Sequence, residues 1–234
     1  KKILLSEQNV YPDTDIVHLY HVIGEGWAAQ FEMDESFDYE PQADASIAAR
    51  AAAAGVSPES YAYDLMLADG GTGFIYLPIL NYADGNLDFL EELQSRDDCV
   101  NSLSDGGAHC GTICDAASPT FLLSYWARDR KAGTISLELA VKRQCHDTAR
   151  LYGLNDRGVL KPGYLADINV IDFDALKLLK PWLAFDLPAG GKRLLQKAVG
   201  YVMTIKNGEV TFRNGTMTGA LPGTLVRGPQ ARPA

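Results

Sequence analysis

The sequence is poor in the residues that would announce a metal centre or a disulfide scaffold. Its 234 residues include 4 histidines and 4 cysteines. The cysteines (Cys99, Cys110, Cys114 and Cys145) are too few and too scattered for a small disulfide framework. Cys110 and Cys114 admit a reading as two metal thiolates, but no second cysteine pair stands near them, and reduced thiols are the simpler reading. Basic residues are also scarce. With 21 Lys and Arg against 30 Asp and Glu, the formal net charge is −9, which argues against nucleic acid or an anionic membrane as a partner. No apolar run approaches the ~20 residues needed to span a bilayer. The opening Lys1-Lys2-Ile3-Leu4-Leu5 stops at Ser6-Glu7, short of the ~7–15-residue core of a signal peptide. There is no initiator Met, so Lys1 is expected to be an internal position of a longer chain. A cytoplasmic location is the corresponding expectation.

What is present is the composition of a folded protein, 47% hydrophobic and 22% charged. Ile16 to Ile23 is short, apolar and rich in β-branched residues, which predicts a strand. Asp44 is expected to cap a helix over 45–54 that Gly55 stops. Ser57 as N-cap with Pro58 at the first helical position opens a second helix, with Ala62, Leu65 and Met66 on its apolar face and Gly70-Gly71 at its end. Phe74 to Leu77 predicts a buried strand. Leu87, Leu90 and Leu93 recur at helical spacing, and Cys99 to Leu103 predicts another strand. This alternation is the rhythm of βα units with parallel strands. Helices opening at Ser118-Pro119 and at Ser136 follow, the second stopped by Gly153. Beyond Gly158 the pattern turns to strands, with Asn207-Gly208 as a hairpin turn, and a Gly/Pro-rich tail runs from Leu221. The expected division is 1–155 and 156–234.

The run Ser102-Leu103-Ser104-Asp105-Gly106-Gly107-Ala108-His109 carries most of the chemistry. An Asp at the carboxyl end of a parallel strand, followed by two glycines, stands where α/β folds place their sites. Gly106 and Gly107 let backbone approach a ligand. Asp105 suits a metal ligand or a general base, and His109 a substrate contact. The plain alternative is an Asp capping a turn beside a surface His. His18 and His21 would share a face on a helix and point apart on the strand predicted for them. Gly24-Glu25-Gly26-Trp27 imitates a dinucleotide fingerprint, but the acidic stretch after it would repel a pyrophosphate. No serine sits in a Gly-x-Ser-x-Gly elbow, which disfavours a serine hydrolase.

Ser104 to His109 resembles the last barrel strand of metal-dependent amidohydrolases, above all the D-aminoacylase (N-acyl-D-amino-acid deacylase) branch. The resemblance continues in Asp115-Ala116-Ala117-Ser118, Trp126 to Arg130 and Ala149 to Gly158. Leu160 to Val170 is similar to the family's return from barrel to β-sandwich, and Asp186-Leu187-Pro188-Ala189-Gly190-Gly191 points to the acyl-amino-acid branch. Thr204 to Gly208 and Gly219 to Gly223 are similar to its closing hairpin and ending. The resemblance implies an α/β fold, the C-terminal part of a (β/α)8 barrel followed by strands of a small β-sandwich. It implies hydrolysis of a linear amide C–N bond, with an acylated amino acid as the small-molecule partner. Asp105 inherits the role of catalytic base and metal ligand. Gly106, Gly107 and His109 inherit substrate contacts. Arg128 or Arg130 is a candidate for the substrate carboxylate, against the plainer reading of ion pairs on a helix. Zinc is the implied cofactor. The family's His-x-His, its Cys or carboxylated Lys and its two later His ligands have no counterpart here. One carboxylate does not hold catalytic zinc, which takes three or more protein ligands, so the chain alone is expected to lack zinc and activity. A cyclic-amide hydrolase and a non-catalytic assembly module are the alternatives. An incomplete barrel is expected to self-associate or to pair with a missing N-terminal half.

Overall fold

The computed structural model describes residues 1–15, 17–101, 111–112 and 115–233. The chain is a mixture of helices and short strands in two compact units, Lys1–Phe89 and Leu90–Ala234. The change from helix to strand that the sequence shows near 155/156 therefore falls inside the second unit. No helix among the described residues is long and apolar enough to cross a membrane.

In the first unit the predicted strand at 16–23 is a helix, Val17–Glu25, with Ile16 outside the described residues. A short apolar run does not fix its own period, and here the helix ends gain partners that a strand would not need. The buried Gln30 side chain donates to the carbonyls of Val22 at 3.1 Å and Ile23 at 2.8 Å, satisfying two acceptors of the last turn. Ser46, not Asp44, caps the next helix, Ile47–Ala54: its hydroxyl accepts from the Ala49 N–H at 3.2 Å. Asp44 sits instead in a 3₁₀ turn, Ala43–Ala45. Gly55 ends that helix at φ 68°, as expected. Ser57 caps Pro58–Gly71, whose backbone leaves helical geometry at Ala68. Phe31, Ile47, Ala51, Ala62, Leu65 and Leu87 form the buried core. The strand Phe74–Tyr76 pairs antiparallel with Phe31–Met33, placing Phe31 opposite Tyr76. The parallel pairing expected from the βα rhythm is thus replaced by a short antiparallel ribbon.

The helix predicted from Leu87 forms as Asp88–Ser95 and spans the division between the units. Cys99 to Asn101 is not strand, and the rest of the strand expected there lies outside the described residues. Ser118–Phe121 continues as a π-helix, Leu122–Asp129. Ser136 caps Leu137–Val141, its hydroxyl accepting from the Leu139 N–H at 3.1 Å. That helix runs through a second π segment, Lys142–Asp147, into Thr148–Leu151. In the wider π turn the Arg130 N–H reaches back five residues to the Tyr125 carbonyl, at 2.9 Å.

The strands that follow are antiparallel. Ile168–Ile171, Tyr201–Lys206, Glu209–Arg213 and Thr216–Met217 form one four-stranded sheet, joined in that spatial order. Trp182–Leu187 pairs with Gly191–Leu195, and Lys177–Leu178 with Ala198–Val199. Asn207 and Gly208 both take positive φ, 54° and 82°, making the turn their sequence predicts. The Asp167 carboxylate accepts from Lys206 Nζ at 2.9 Å and from the Asn207 N–H at 2.8 Å, pinning that turn to the neighbouring strand.

Candidate functional site

Asp105, Gly106, Gly107 and His109, the residues to which the sequence assigns the chemistry, lie outside the described residues, as do Cys110 and Cys114. The chain that leads to them is described as far as Asn101, and a buried cation holds it. Arg143, in the Lys142–Asp147 π-helix, has 2% of its side chain exposed. Its Nε donates to the Gln94 carbonyl at 3.2 Å, its Nη2 to the Arg96 carbonyl at 2.5 Å and its Nη1 to the Cys99 carbonyl at 3.3 Å. Asp147, one helical turn on, takes Nη1 at 2.9 Å and Asp97 takes Nη2 at 3.4 Å. A guanidinium withdrawn from water is tolerable only with its donors and charge matched, and these partners match both. Burial pushes the Asp147 carboxyl upward, but its bonds to His146, Lys142 and Arg143 outweigh that and hold it below the usual carboxylate range. Arg96 forms a two-pronged pair with Asp98 on the surface of the same segment and draws Asp98 down to about 2.

Arg128 and Arg130 are also engaged within the protein. Arg128 donates to both carboxylate oxygens of Asp129, at 2.6 and 2.8 Å, and to the carbonyls of Phe173, Asp174 and Leu176. These acceptors use its five N–H groups, leaving none for a substrate carboxylate in this arrangement. Its role here is to fasten the π-helix to the turn between the strands Ile168–Ile171 and Lys177–Leu178, with the Phe173 ring stacked beneath the cation at 5.3 Å. The Arg130 side chain is fully buried. It meets Glu91 Oε2 at 2.6 Å and lies over the Trp126 ring at 4.8 Å.

His18 and His21 share the Val17–Glu25 helix, the geometry that would let them act together. His21 Nδ1 instead meets Glu25 Oε2 at 3.2 Å and its ring packs on Tyr11 at 4.3 Å. Gly24 and Gly26 end that helix and do not follow a strand, so the imitation of a dinucleotide fingerprint has no structural counterpart. Among the described residues no three His, Cys, Asp or Glu side chains are grouped to hold a metal ion. The described residues therefore do not fit a zinc ion by themselves.

Two features escaped the sequence reading. One is the Arg143–Asp147 pair, whose signal was the i,i+4 spacing of opposite charges. The other is a cleft of about 210 Å³ in the second unit, lined chiefly by His146, Arg150, Asn155, Arg157, Tyr164 and Arg232. No local signal marks it, because Arg232 comes from the far end of the chain.

No curated protein matches the chain. Three solved chains do, all D-aminoacylases. One is described for the role of its binuclear metal center (21% identity), one is a mutant in complex with copper chloride (20%), and one is said to define a novel subset of amidohydrolases (22%). In each case the match covers 82% of this chain and 36% of the other, with a TM-score of 0.41. The chain thus spans little more than a third of the length of the solved structures it matches. The model of the amidohydrolase family matches residues 24–212, a stretch that contains Asp105, both π-helices and the hairpin at Asn207-Gly208. The chain belongs to the amidohydrolase family.

Proposed function

We propose that this chain is the closing portion of a (β/α)8 amidohydrolase barrel with the strands of its β-sandwich, and that the complete enzyme removes the acyl group from an N-acyl-D-amino acid. The observation that carries the reading is the family match over 24–212 with the run Ser104 to His109 inside it. Asp105 is the base: it takes a proton from the water that attacks the amide carbonyl carbon. As the C–N bond breaks, the proton passes to the departing nitrogen, leaving a carboxylate and a free amino acid. His109 holds substrate, and the absence of side chains at Gly106 and Gly107 lets the backbone approach it. Arg128 is not assigned to the substrate, because its guanidinium is committed to Asp129 and the 173–176 turn.

Zinc, when bound, would polarise the carbonyl and acidify the attacking water. The family's His-x-His, its Cys or carboxylated Lys and its two later His ligands have no counterpart in this sequence, so the chain alone is expected to be inactive. The test is a substrate panel on a protein with the complete barrel: N-acetyl-D-amino acids, their L enantiomers, a hydantoin and dihydroorotate. The reading expects release of acetate with preference for the D series, abolished by Asp105→Asn. Turnover of the cyclic amides alone would move the assignment to a cyclic-amide hydrolase, and full activity in Asp105→Asn would overturn the role of Asp105.

A further inference from the structure

On a protein of formal charge −9, the cleft of about 210 Å³ in the second unit is lined by three arginines and a histidine. The arginines arrive from three places. Arg150 lies in the Thr148–Leu151 helix, Arg157 in the loop after it, and Arg232 in the tail. The tail is held by a built contact. The Gln230 N–H donates to the Gly153 carbonyl at 2.8 Å, and Asn155 Nδ2 donates to the Gln230 carbonyl at 3.0 Å. Gly153, at φ +69°, lies so close to Pro229 that a Cβ there would come within 3.1 Å of the proline ring. The strap brings Arg232 beside residues about eighty positions earlier in the chain.

The cations of the cleft differ in their partners. Arg157 is neutralised by Asp156 at 2.9 Å and, more distantly, by Asp167 at 3.5 Å. His146 turns Nδ1 to Asp147 at 2.9 Å. Among the described residues, the Arg150 and Arg232 side chains and the Tyr164 hydroxyl make no hydrogen bond or ion pair, although all three line the same cleft. Two guanidinium groups collected in one concavity repel each other unless an anion lies between them. Guanidinium forks match the paired oxygens of carboxylates and phosphates. The volume is several times the ~30 Å³ of a water molecule and below the ~300 Å³ at which drug-sized pockets begin, which selects a small ligand.

We propose that this cleft binds a small oxyanion, a carboxylate or a phosphate, between Arg150 and Arg232, with the Tyr164 hydroxyl as a further donor. The anion joins the tail to the end of the Thr148–Leu151 helix. The proposal is independent of the catalytic reading, since it uses neither Asp105 nor a metal.

The test is calorimetric titration of the full chain with inorganic phosphate and, separately, with glutarate, at an ionic strength held constant with chloride. Saturable single-site binding of at least one of the two is expected, weakened about tenfold or more in the Arg150→Gln/Arg232→Gln double variant. Binding of phosphate alone or of glutarate alone supports the site and identifies which chemistry it takes. Both substitutions are at exposed positions, and circular dichroism checks that the fold is kept. A second variant, ending at Arg227 and so lacking the strap, is expected to lose binding to the same extent. The proposal is overturned if neither anion binds more tightly than chloride, or if the double variant binds as the parent does.

Discussion

The helical run from Ser118 to Leu151 and the strands from Ile168 to Met217 are stabilised in opposite ways. The helical run encloses its interior: Leu122, Leu123, Trp126, Ala140 and Ala149 are buried, and so are the cations Arg130 and Arg143. Between 156 and 233, by contrast, only Leu176 and Pro181 are buried among the described residues, while Phe185 and Met217 are 68% and 64% exposed. The strands are held by backbone ladders, by turns such as Asn207-Gly208 and by tethers such as Asp167. Charge removed from the first region should therefore cost more than charge removed from the second. The second should be more sensitive to backbone shape.

The largest effect is expected at Arg143. Its removal in Arg143→Ala strands the half-enclosed Asp147 and three carbonyls, and urea denaturation should report a loss of about 3–5 kcal/mol. A cost near that of a surface pair, ~0–1 kcal/mol, would break the contrast. Next comes Gly200, at φ +97°, where a Cβ would fall 2.6 Å from the Leu176 Cα. Gly200→Ala should cost about 1–3 kcal/mol in the same assay, with no change of charge at all. Ser136→Ala, which removes a cap of the helical run, should cost ~1 kcal/mol.

The smallest effect is that of acid, and it touches both regions. Asp147 and Asp167 are each pushed up by burial and held below the ordinary range by their cationic and N–H partners. Their stabilisation is present in full above the unfolded carboxylate value of ~3.9 and is lost as pH falls through the lower folded value. Denaturation midpoints at pH 6 and pH 3 should therefore differ, and the difference should shrink in Asp147→Asn and Asp167→Asn. Stability that is unchanged between the two pH values would remove electrostatics from the account of both regions.

Local signals were readable at most points where a side chain acts on its own backbone, although Ser46, and not Asp44, turned out to cap Ile47–Ala54. Ser57-Pro58, Ser118-Pro119, Ser136, Gly55 and Asn207-Gly208 start, stop or turn the chain where their chemistry requires. Non-local choices were not readable. The helix Val17–Glu25 stands where the apolar run suggested a strand, and its last turn is satisfied by Gln30, several residues away. Alternation of helix and strand does not fix strand direction, and Phe74–Tyr76 found an antiparallel partner at Phe31–Met33. Arg128, Arg130 and Arg143 look alike in sequence, as charges on helices. Only the folded structure separates them into a clamp on the 173–176 turn, a cation buried on Trp126 and an anchor for 94–99. Of the candidate site, Asp105 and His109 rest on motif and family, and their geometry lies outside the described residues.

The proposed function gives this chain one carboxylate, Asp105, for amide hydrolysis in the complete enzyme, and among the described residues no group of three ligands gathers for a metal. The most direct test is the zinc-to-protein ratio of the purified chain by elemental mass spectrometry, after dialysis against a weak chelator. A ratio near zero is expected. A ratio of about one or more, the occupancy of a site with at least three protein ligands, would contradict it and would mean that the chain builds a metal centre of its own.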